Sequence, residues 1–204
     1  MAEVVHIDPA QPAAHLIHQA AAVIKNGGII VYPTETLYGL GADPLNSEAI
    51  KRLYEIKGRE RAKPIPFLIK DQEMLATLVD EIPPLGRQLM GQHWPGPLTL
   101  IFRATEGLPP PLRGEAGTIG VRISAHPIAR LIVEAVNTPL ASTSANPAGT
   151  GDLIDARSIA ELLGDQVDLI IDGGEVAGRG STVVDLTVDP PRVVREGMIE
   201  NPLG

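Results

Sequence analysis

The sequence predicts an α/β fold, a twisted mixed β-sheet flanked by helices, from two patterns in the spacing of its apolar residues. In the first half of the chain, short runs rich in Ile and Val alternate with segments whose apolar residues recur at helical spacing. In the second half, the short apolar runs follow one another more closely. Alternation predicts parallel strands joined by helices, and clustering predicts antiparallel neighbours, so both kinds of pairing are expected.

Residues with capping preferences mark the ends of the predicted helices. Gly27-Gly28 ends the first helix, Asn46-Ser47 begins the second, and Asp71 begins the third. Pro127 stands at a first-turn position where proline is tolerated. The expected helices are 13–26, about 47–57, 72 through 79, around 84–92, 127–136 and 155–163.

Eight short apolar runs are expected as strands. They are 29–32, 65–69, 98–103, 118–123, 140–142, 167–171, 181–187 and 192–195. The polar stretch 33–41 is expected to be a loop, and 104–117 and 144–153 are the longest breaks. Because no repeat or linker divides the 204 residues, a single domain spanning 1–204 is predicted.

Composition narrows the class of protein. The chain is 44% hydrophobic and 21% charged, which is enough apolar surface for a packed core. It has no cysteine, which excludes disulfides, thiolate nucleophiles and cysteine-ligated zinc. The first residues do not read as a signal peptide, and no apolar run reaches the roughly 18–20 residues of a membrane span. A soluble cytoplasmic protein is therefore predicted.

Charge is distributed unevenly. The net charge is −8, which argues against a general nucleic-acid binder. Residues 51–70 nevertheless contain seven Lys or Arg and two Glu, a local charge of +5. The segment is consistent with a site for a defined anion or, equally, with a solvated helix face.

The stretch from Thr34 to Asp43 is the first candidate site. Hydroxyls and a carboxylate follow a strand directly, and Gly39 and Gly41 are expected to let a ligand approach the backbone. An ordinary polar turn between a strand and a helix has a similar composition. Position 44 is Pro44, so the third glycine of a dinucleotide fingerprint is missing.

The second candidate site is the sequence STSAN at 142–146. Three hydroxyls and an amide within five residues can donate to and accept from a ribose, a phosphate or an amino acid. A strand end followed by an Asx-type turn is the structural alternative. The glycine-rich stretch 173–180 could bind a phosphate, although a hairpin or mobile loop is the favoured interpretation. The motif WPGP at 94–97 is interpreted as a structural turn.

In their order, these motifs resemble those of the YrdC-like family of threonylcarbamoyl-AMP synthases, in its single-domain form. The resemblance extends from near residue 15 to near 198. The matching motifs are PTETLYGLG at 33–41, KGR at 57–59, KP at 63–64, WPGPLT at 94–99, VRI at 121–123, STSAN at 142–146, STVVD at 181–185 and REG at 195–197.

The resemblance implies a nucleotidyltransferase with a basic, concave site on an open YrdC-like fold. Members join L-threonine, bicarbonate (or CO2) and ATP into threonylcarbamoyl-AMP and pyrophosphate. The implied partners are these substrates, Mg²⁺ bound with ATP, and the separate proteins that transfer the threonylcarbamoyl group to tRNA. Direct contact with tRNA or other RNA is a further possibility, and no membrane partner is implied.

The family pattern assigns roles to matching residues. The residues implied to bind threonine are Thr36, Arg122, Ser142 and Thr182. Those implied to bind ATP are Arg59, Lys63, Thr118, Ser144 and Arg195. The implied catalytic residues are Lys57, Arg59, Ser144 and Asn146. No side-chain metal site is implied, since phosphate oxygens and water are expected to hold Mg²⁺.

Two departures and two rival functions accompany the resemblance. Many members carry a histidine where this chain has Leu68, so a threonine contact is expected to be missing or replaced. The opening residues and 167–174 resemble a sister branch of less secure activity, which typically lacks the intact motifs KxR and SxN found here. The main rival is an RNA- or tRNA-binding module of the same fold without synthase activity, but six aromatic residues are few for base stacking. The second rival, a carbamoyl-transfer domain like that of the hydrogenase maturation factor, is disfavoured because that protein carries cysteine zinc fingers.

Overall fold

The computed structural model describes residues 1–58, 65–109, 112–114, 116–147 and 150–204. These contain the helices α1 Ala14–Lys25, α2 Ser47–Lys57, α3 Gln72–Ala76, α4 Pro84–His93, α5 Pro127–Val136 and α6 Ala156–Leu163. The strands are β1 Glu3–His6, β2 Ile30–Tyr32, β3 Gly39–Ala42, β4 Phe67–Leu68, β5 Leu98–Arg103, β6 Thr118–Arg122, β7 Leu140–Ser144, β8 Leu169–Asp172, β9 Thr182–Asp185 and β10 Arg192–Arg195.

All ten of these strands belong to one mixed sheet, in the order β1-β8-β2-β3-β7-β4-β6-β5-β9-β10. Four neighbouring pairs are parallel, namely β1 with β8, β8 with β2, β4 with β6, and β5 with β9. The other five pairs are antiparallel. The predicted fold class is confirmed.

Helices cover both faces of the sheet. Successive side chains on a strand point to opposite faces, so a buried strand can pack against helices on both sides. Ile30 and Tyr32 of β2 pack in one apolar cluster with α1 and α5. Val31, between them, packs in the other cluster with α2, α3, α4 and α6. Among the described helices, none is both long and apolar enough to cross a membrane.

Two strands occur where the sequence predicted none. β1 is a four-residue edge strand with one buried side chain, too short and too exposed to show an apolar run. β3 lies within the stretch predicted to be a loop, and all four of its residues are buried. Because glycine is uncommon in strands, Gly39 and Gly41 led to the prediction of a loop in place of β3.

Several predicted boundaries also shift. α3 ends at Ala76, and Val79 instead forms an isolated bridge with Ala104. β4 covers only two residues of the expected 65–69. β7 continues through Ser144, so the three hydroxyls from 142 to 144 stand on a strand that pairs with β3.

Candidate functional site

A cavity of about 610 Å³ opens beside β3, β4, β6 and β7. Its lining is mostly polar. Seven serine and threonine side chains contribute, together with one amide, three arginines, two carboxylates and a few apolar groups. The main polar lining residues are Thr34, Thr36, Thr99, Arg122, Ser142, Thr143, Ser144, Asn146, Asp152, Arg179, Ser181, Arg195 and Glu196. The described lining therefore carries a net charge of +1.

Most of the residues proposed from sequence that the structure describes meet at this cavity. Those that line it are Thr36, Arg122, Ser142, Ser144, Asn146 and Arg195. Lys57 lies directly behind the lining, bonded to Ser144 and Asn146. Arg59 and Lys63 lie outside the described residues.

Arg122, at the end of β6, is a buried cation with two partners. It is 7% exposed, and its Nη1 donates to Thr36 Oγ1 at 3.0 Å. The same nitrogen lies 3.5 Å from Glu35 Oε1, and the Ser124 hydroxyl donates to the other carboxylate oxygen. Glu35 thus balances and orients the guanidinium. Sequence analysis noted a carboxylate in this motif but gave it no role.

The Thr36 hydroxyl is also used within the protein. Thr34 Oγ1 donates to the carbonyl of Leu37 at 2.6 Å and lies 2.8 Å from Thr36 Oγ1. Because the Thr34 hydrogen is already committed, the Thr36 hydroxyl donates to Thr34 and accepts from Arg122. Thr36 therefore holds Arg122 in place.

Ser142, on β7, has a buried phenol as its partner. Its Oγ lies 2.5 Å from the hydroxyl of Tyr32 on β2. Burial raises the pKa of Tyr32 to about 12, so the phenol is protonated at neutral pH. Ser142 was predicted from the sequence to belong to the site, and Tyr32 was not.

Lys57, the last residue of α2, organises the turn after β7. It is 2% exposed, and its ammonium donates to the carbonyl of Ser144 at 2.7 Å and to Asn146 Oδ1 at 2.9 Å. It also donates to the carbonyl of Asn146. The Ser144 hydroxyl donates to Asn146 Oδ1 at 2.6 Å. The KxR and SxN motifs are joined by this cluster, in which Lys57 fixes the shape of the lining.

Arg195 closes the opposite wall. Its Nη2 donates to both the carbonyl and the hydroxyl of Ser181 at 2.8 Å, and Ser181 Oγ lies 2.8 Å from Thr99 Oγ1. A Cβ at Gly197 would lie 2.3 Å from the Ser181 carbonyl carbon. Only glycine permits this close approach, which accounts for the REG motif structurally.

Two predicted residues stand apart from the cavity. Thr182 is fully buried, and its hydroxyl donates to the carbonyl of Ile199 at 2.7 Å and accepts from its N–H. Its neighbour Ser181 is the one that lines the cavity. Thr118 lies at the far end of β6 from Arg122, about 13 Å along the strand. The tertiary packing places both threonines outside the cavity lining, and this packing cannot be read from the sequence motif.

The described cations of the segment 51–70 have different partners. Arg52 pairs with Asp168 at 3.0 Å, and Lys70 bonds to Asn137 at 2.9 Å. Among the described cations of the segment, only Lys57 bonds to lining residues.

The glycine-rich stretch 173–180 is neither helix nor hairpin, and it is tied to the site. The Tyr38 hydroxyl donates to the carbonyl of Gly174 at 2.7 Å. The N–H of Gly178 donates to the carbonyl of Thr36 at 3.0 Å. Both bonds hold the stretch against the motif that follows β2.

Through these bonds, Arg179 comes to line the cavity. It was not predicted as a site residue, because its glycine neighbours suggested a hairpin. Leu68 also lines the cavity and is paired in register with Arg122. An apolar side chain thus occupies the position of the family histidine.

Comparison with known proteins agrees with the fold and the motifs. Residues 22–197 match a family model of the Sua5, YciO and YrdC proteins, described as "Telomere recombination". A threonylcarbamoyl-AMP synthase from Pyrococcus abyssi is 41% identical over 182 residues, which are 89% of this chain and 54% of that protein. One from Thiobacillus denitrificans is 36% identical, over 87% of this chain and 91% of that protein.

Two solved structures of Sua5 and YciO proteins superpose closely on this chain. The P. abyssi Sua5 structure complexed with L-threonine superposes with a TM-score of 0.91 at 38% identity, over 95% of this chain and 57% of that one. The Escherichia coli YciO structure superposes with a TM-score of 0.93 at 35% identity, over 99% of both chains. The chain spans little more than half of the Sua5 protein and nearly all of YciO.

Proposed function

Because the chain belongs to the Sua5, YciO and YrdC family, we propose that it is an L-threonylcarbamoyladenylate synthase. It would form threonylcarbamoyl-AMP and pyrophosphate from L-threonine, bicarbonate or CO2, and ATP. The observation that carries the proposal is the convergence of Arg122, Ser142, Ser144, Asn146 and Arg195 on one cavity. The product would pass to the proteins that modify tRNA with the threonylcarbamoyl group.

Arg122 is suited to receive the carboxylate of the amino acid. A guanidinium has five N–H donors, and among the described residues Thr36 and Glu35 both lie at Nη1. The remaining donors can meet a carboxylate in a bidentate pair, which is stronger and more directional than a lysine contact. Ser142 lines the same cavity and adds a hydroxyl.

The phosphates of ATP would lie toward Ser144, Asn146 and Arg195, with Arg59 and Lys63 added from outside the described residues. In the proposed reaction, the threonine amine first adds CO2. The new carboxylate oxygen then bonds to the α-phosphorus, the bond to the β-phosphate oxygen breaks, and pyrophosphate leaves. Such a transfer requires alignment and neutralisation of charge, which donors and cations fixed in place can supply.

Mg²⁺ would enter with ATP. Within the described residues, no cluster of three His, Asp or Glu side chains could hold a metal ion. The lining does include the carboxylates of Asp152 and Glu196. Phosphate oxygens and water are the ligands that Mg²⁺ favours in nucleotide sites, where it neutralises phosphate charge.

The test is pyrophosphate release from ATP and Mg²⁺, with L-threonine and bicarbonate omitted in turn. We expect release that requires both, together with threonylcarbamoyl-AMP detected by mass spectrometry. Release that needs neither, or none from well-folded protein, would overturn the proposal. In that case, tRNA binding with a steep salt dependence would favour the RNA-binding alternative.

A further inference from the structure

Tyr32 lies behind the cavity lining, where its hydroxyl bonds to Ser142. β3 stands between β2 and β7 in the sheet, so the Tyr32 side chain crosses β3 to bring its hydroxyl within 2.5 Å of Ser142 Oγ. The residue is fully buried and is not part of the lining.

The glycines of β3 make this crossing possible. A Cβ at Gly39 would lie 3.0 Å from Tyr32 Cζ, and one at Gly41 would lie 2.7 Å from Tyr32 Cε1. Any side chain at Gly41 would displace the ring. The two glycines therefore make room for the tyrosine, and Gly39 also lines the cavity.

The direction of the hydrogen bond follows from counting hydrogens. Ser142 Oγ is the single hydrogen-bond partner of the Tyr32 hydroxyl within the part of the chain that the structure describes. If the phenol accepted this bond, its own hydrogen would be buried without an acceptor, which is costly. The phenol therefore donates and Ser142 accepts, leaving the serine hydrogen free to point into the cavity.

The amino-acid side of the cavity thus offers two donors. The hydrogen of the Thr36 hydroxyl goes to Thr34, so Thr36 offers none to a ligand. Arg122 and Ser142 remain, a cation and a hydroxyl that donates. That pair matches a ligand group made only of acceptors, such as a carboxylate.

We propose that Tyr32 is a positioning residue of the amino-acid subsite, which fixes the Ser142 hydroxyl as a hydrogen-bond donor toward the substrate carboxylate. The inference rests on the proposed function for the identity of the substrate. It assigns the role to the phenol hydroxyl itself, since the ring alone could not direct the serine hydrogen.

The first variant is Tyr32→Phe, which keeps the ring and removes the hydroxyl. We expect the KM for L-threonine to rise about 2- to 10-fold, the range for one neutral hydrogen bond, with kcat and the KM for ATP within about twofold. The control is Tyr54→Phe, a buried tyrosine on α2 outside the cavity lining, which should leave the KM for threonine unchanged.

A double-mutant cycle separates positioning from packing. In a Ser142→Ala background there is no serine hydrogen to direct, so Tyr32→Phe should have no further effect on the KM for threonine. An equal effect in both backgrounds would assign Tyr32 a general structural role and overturn the inference. An unchanged KM in the single variant would overturn it as well.

Calorimetric binding of L-threonine distinguishes failure of this inference from failure of the proposed function. If pyrophosphate release fails but threonine binds, and Tyr32→Phe weakens binding only when Ser142 is present, the inference stands without the synthase. If the unaltered protein binds no L-threonine, both are overturned.

Discussion

Arg122 and Lys57 are both buried cations at the candidate site, yet the protein holds them in different ways. Arg122 faces the cavity and is paired with the carboxylate of Glu35 and the hydroxyl of Thr36. Lys57 lies behind the lining, where its described contacts at the site are carbonyl, amide and hydroxyl oxygens of Ser144 and Asn146.

The difference separates two uses of a buried charge. A cation at the lining that keeps unused donors can bind an anion, and a balancing carboxylate limits the cost of burying it. A cation that donates to several oxygens of one turn stabilises that turn. Arg122 is therefore expected to act mainly on substrate binding, and Lys57 mainly on the shape of the site.

The largest effect is expected from Arg122→Gln. Loss of the bidentate donor should lower kcat/KM for L-threonine by about 30- to 5000-fold, because removing one partner of a buried, hydrogen-bonded charge pair costs about 2–5 kcal/mol. Pyrophosphate release at varied threonine measures it. Arg130→Gln, an exposed arginine on α5, is the matched control and should change activity less than about twofold. Equal losses in both variants would contradict the assignment.

The next effect is expected from Lys57→Met, which keeps the length of the side chain without its donors. The buried carbonyls of Ser144 and Asn146 would lose their charged partner, so the free energy of unfolding should fall by about 3 kcal/mol. Urea denaturation measures the change. Lys51→Met, an exposed site on the same helix, should alter it by less than about 0.5 kcal/mol. A stable but inactive Lys57→Met protein would instead assign this lysine to substrate contact.

The smallest effect is expected from Glu35→Gln, which leaves Arg122 without its balancing charge. The free energy of unfolding should fall by about 1–2 kcal/mol. A bound carboxylate can replace the missing charge, so L-threonine should raise the melting temperature more in this variant than in the unaltered protein. Glu55→Gln, exposed on α2, is the control. An equal threonine-induced shift in both variants would show that Glu35 and the ligand do not share Arg122.

Local sequence signals predicted much of the fold. Asn46 and Asp71 cap their helices through side-chain bonds, as expected. Gly58, in the left-handed conformation, follows the last residue of α2. The mixed sheet and the family are confirmed. β3 was not predicted, because its glycines make room for the side chain of Tyr32 on β2. The residue pattern of one strand does not show which side chains of the neighbouring strand lie against it.

The residues of the candidate site also fall into two groups, those that were predicted from the sequence and those that were not. Ser142, Ser144 and Asn146 were predicted together, since they are close in sequence and chemically distinctive. Tyr32, Glu35 and Arg179 were not assigned roles, because each acts through a partner distant in the chain or through a neighbouring loop. Thr182 illustrates the reverse case, a motif residue whose hydroxyl faces the backbone of Ile199.

The sequence by itself predicted the fold class, where α2 and α3 begin, the residues at 142–146 that line the cavity, and the family to which the chain belongs. These depend on residue type and on short spacing, which the chain displays directly. Only the tertiary structure decided which of those residues face the cavity and in which direction their hydrogens point. Both depend on strand order and burial, because a buried hydroxyl must find its acceptor among whatever residues the fold has placed beside it.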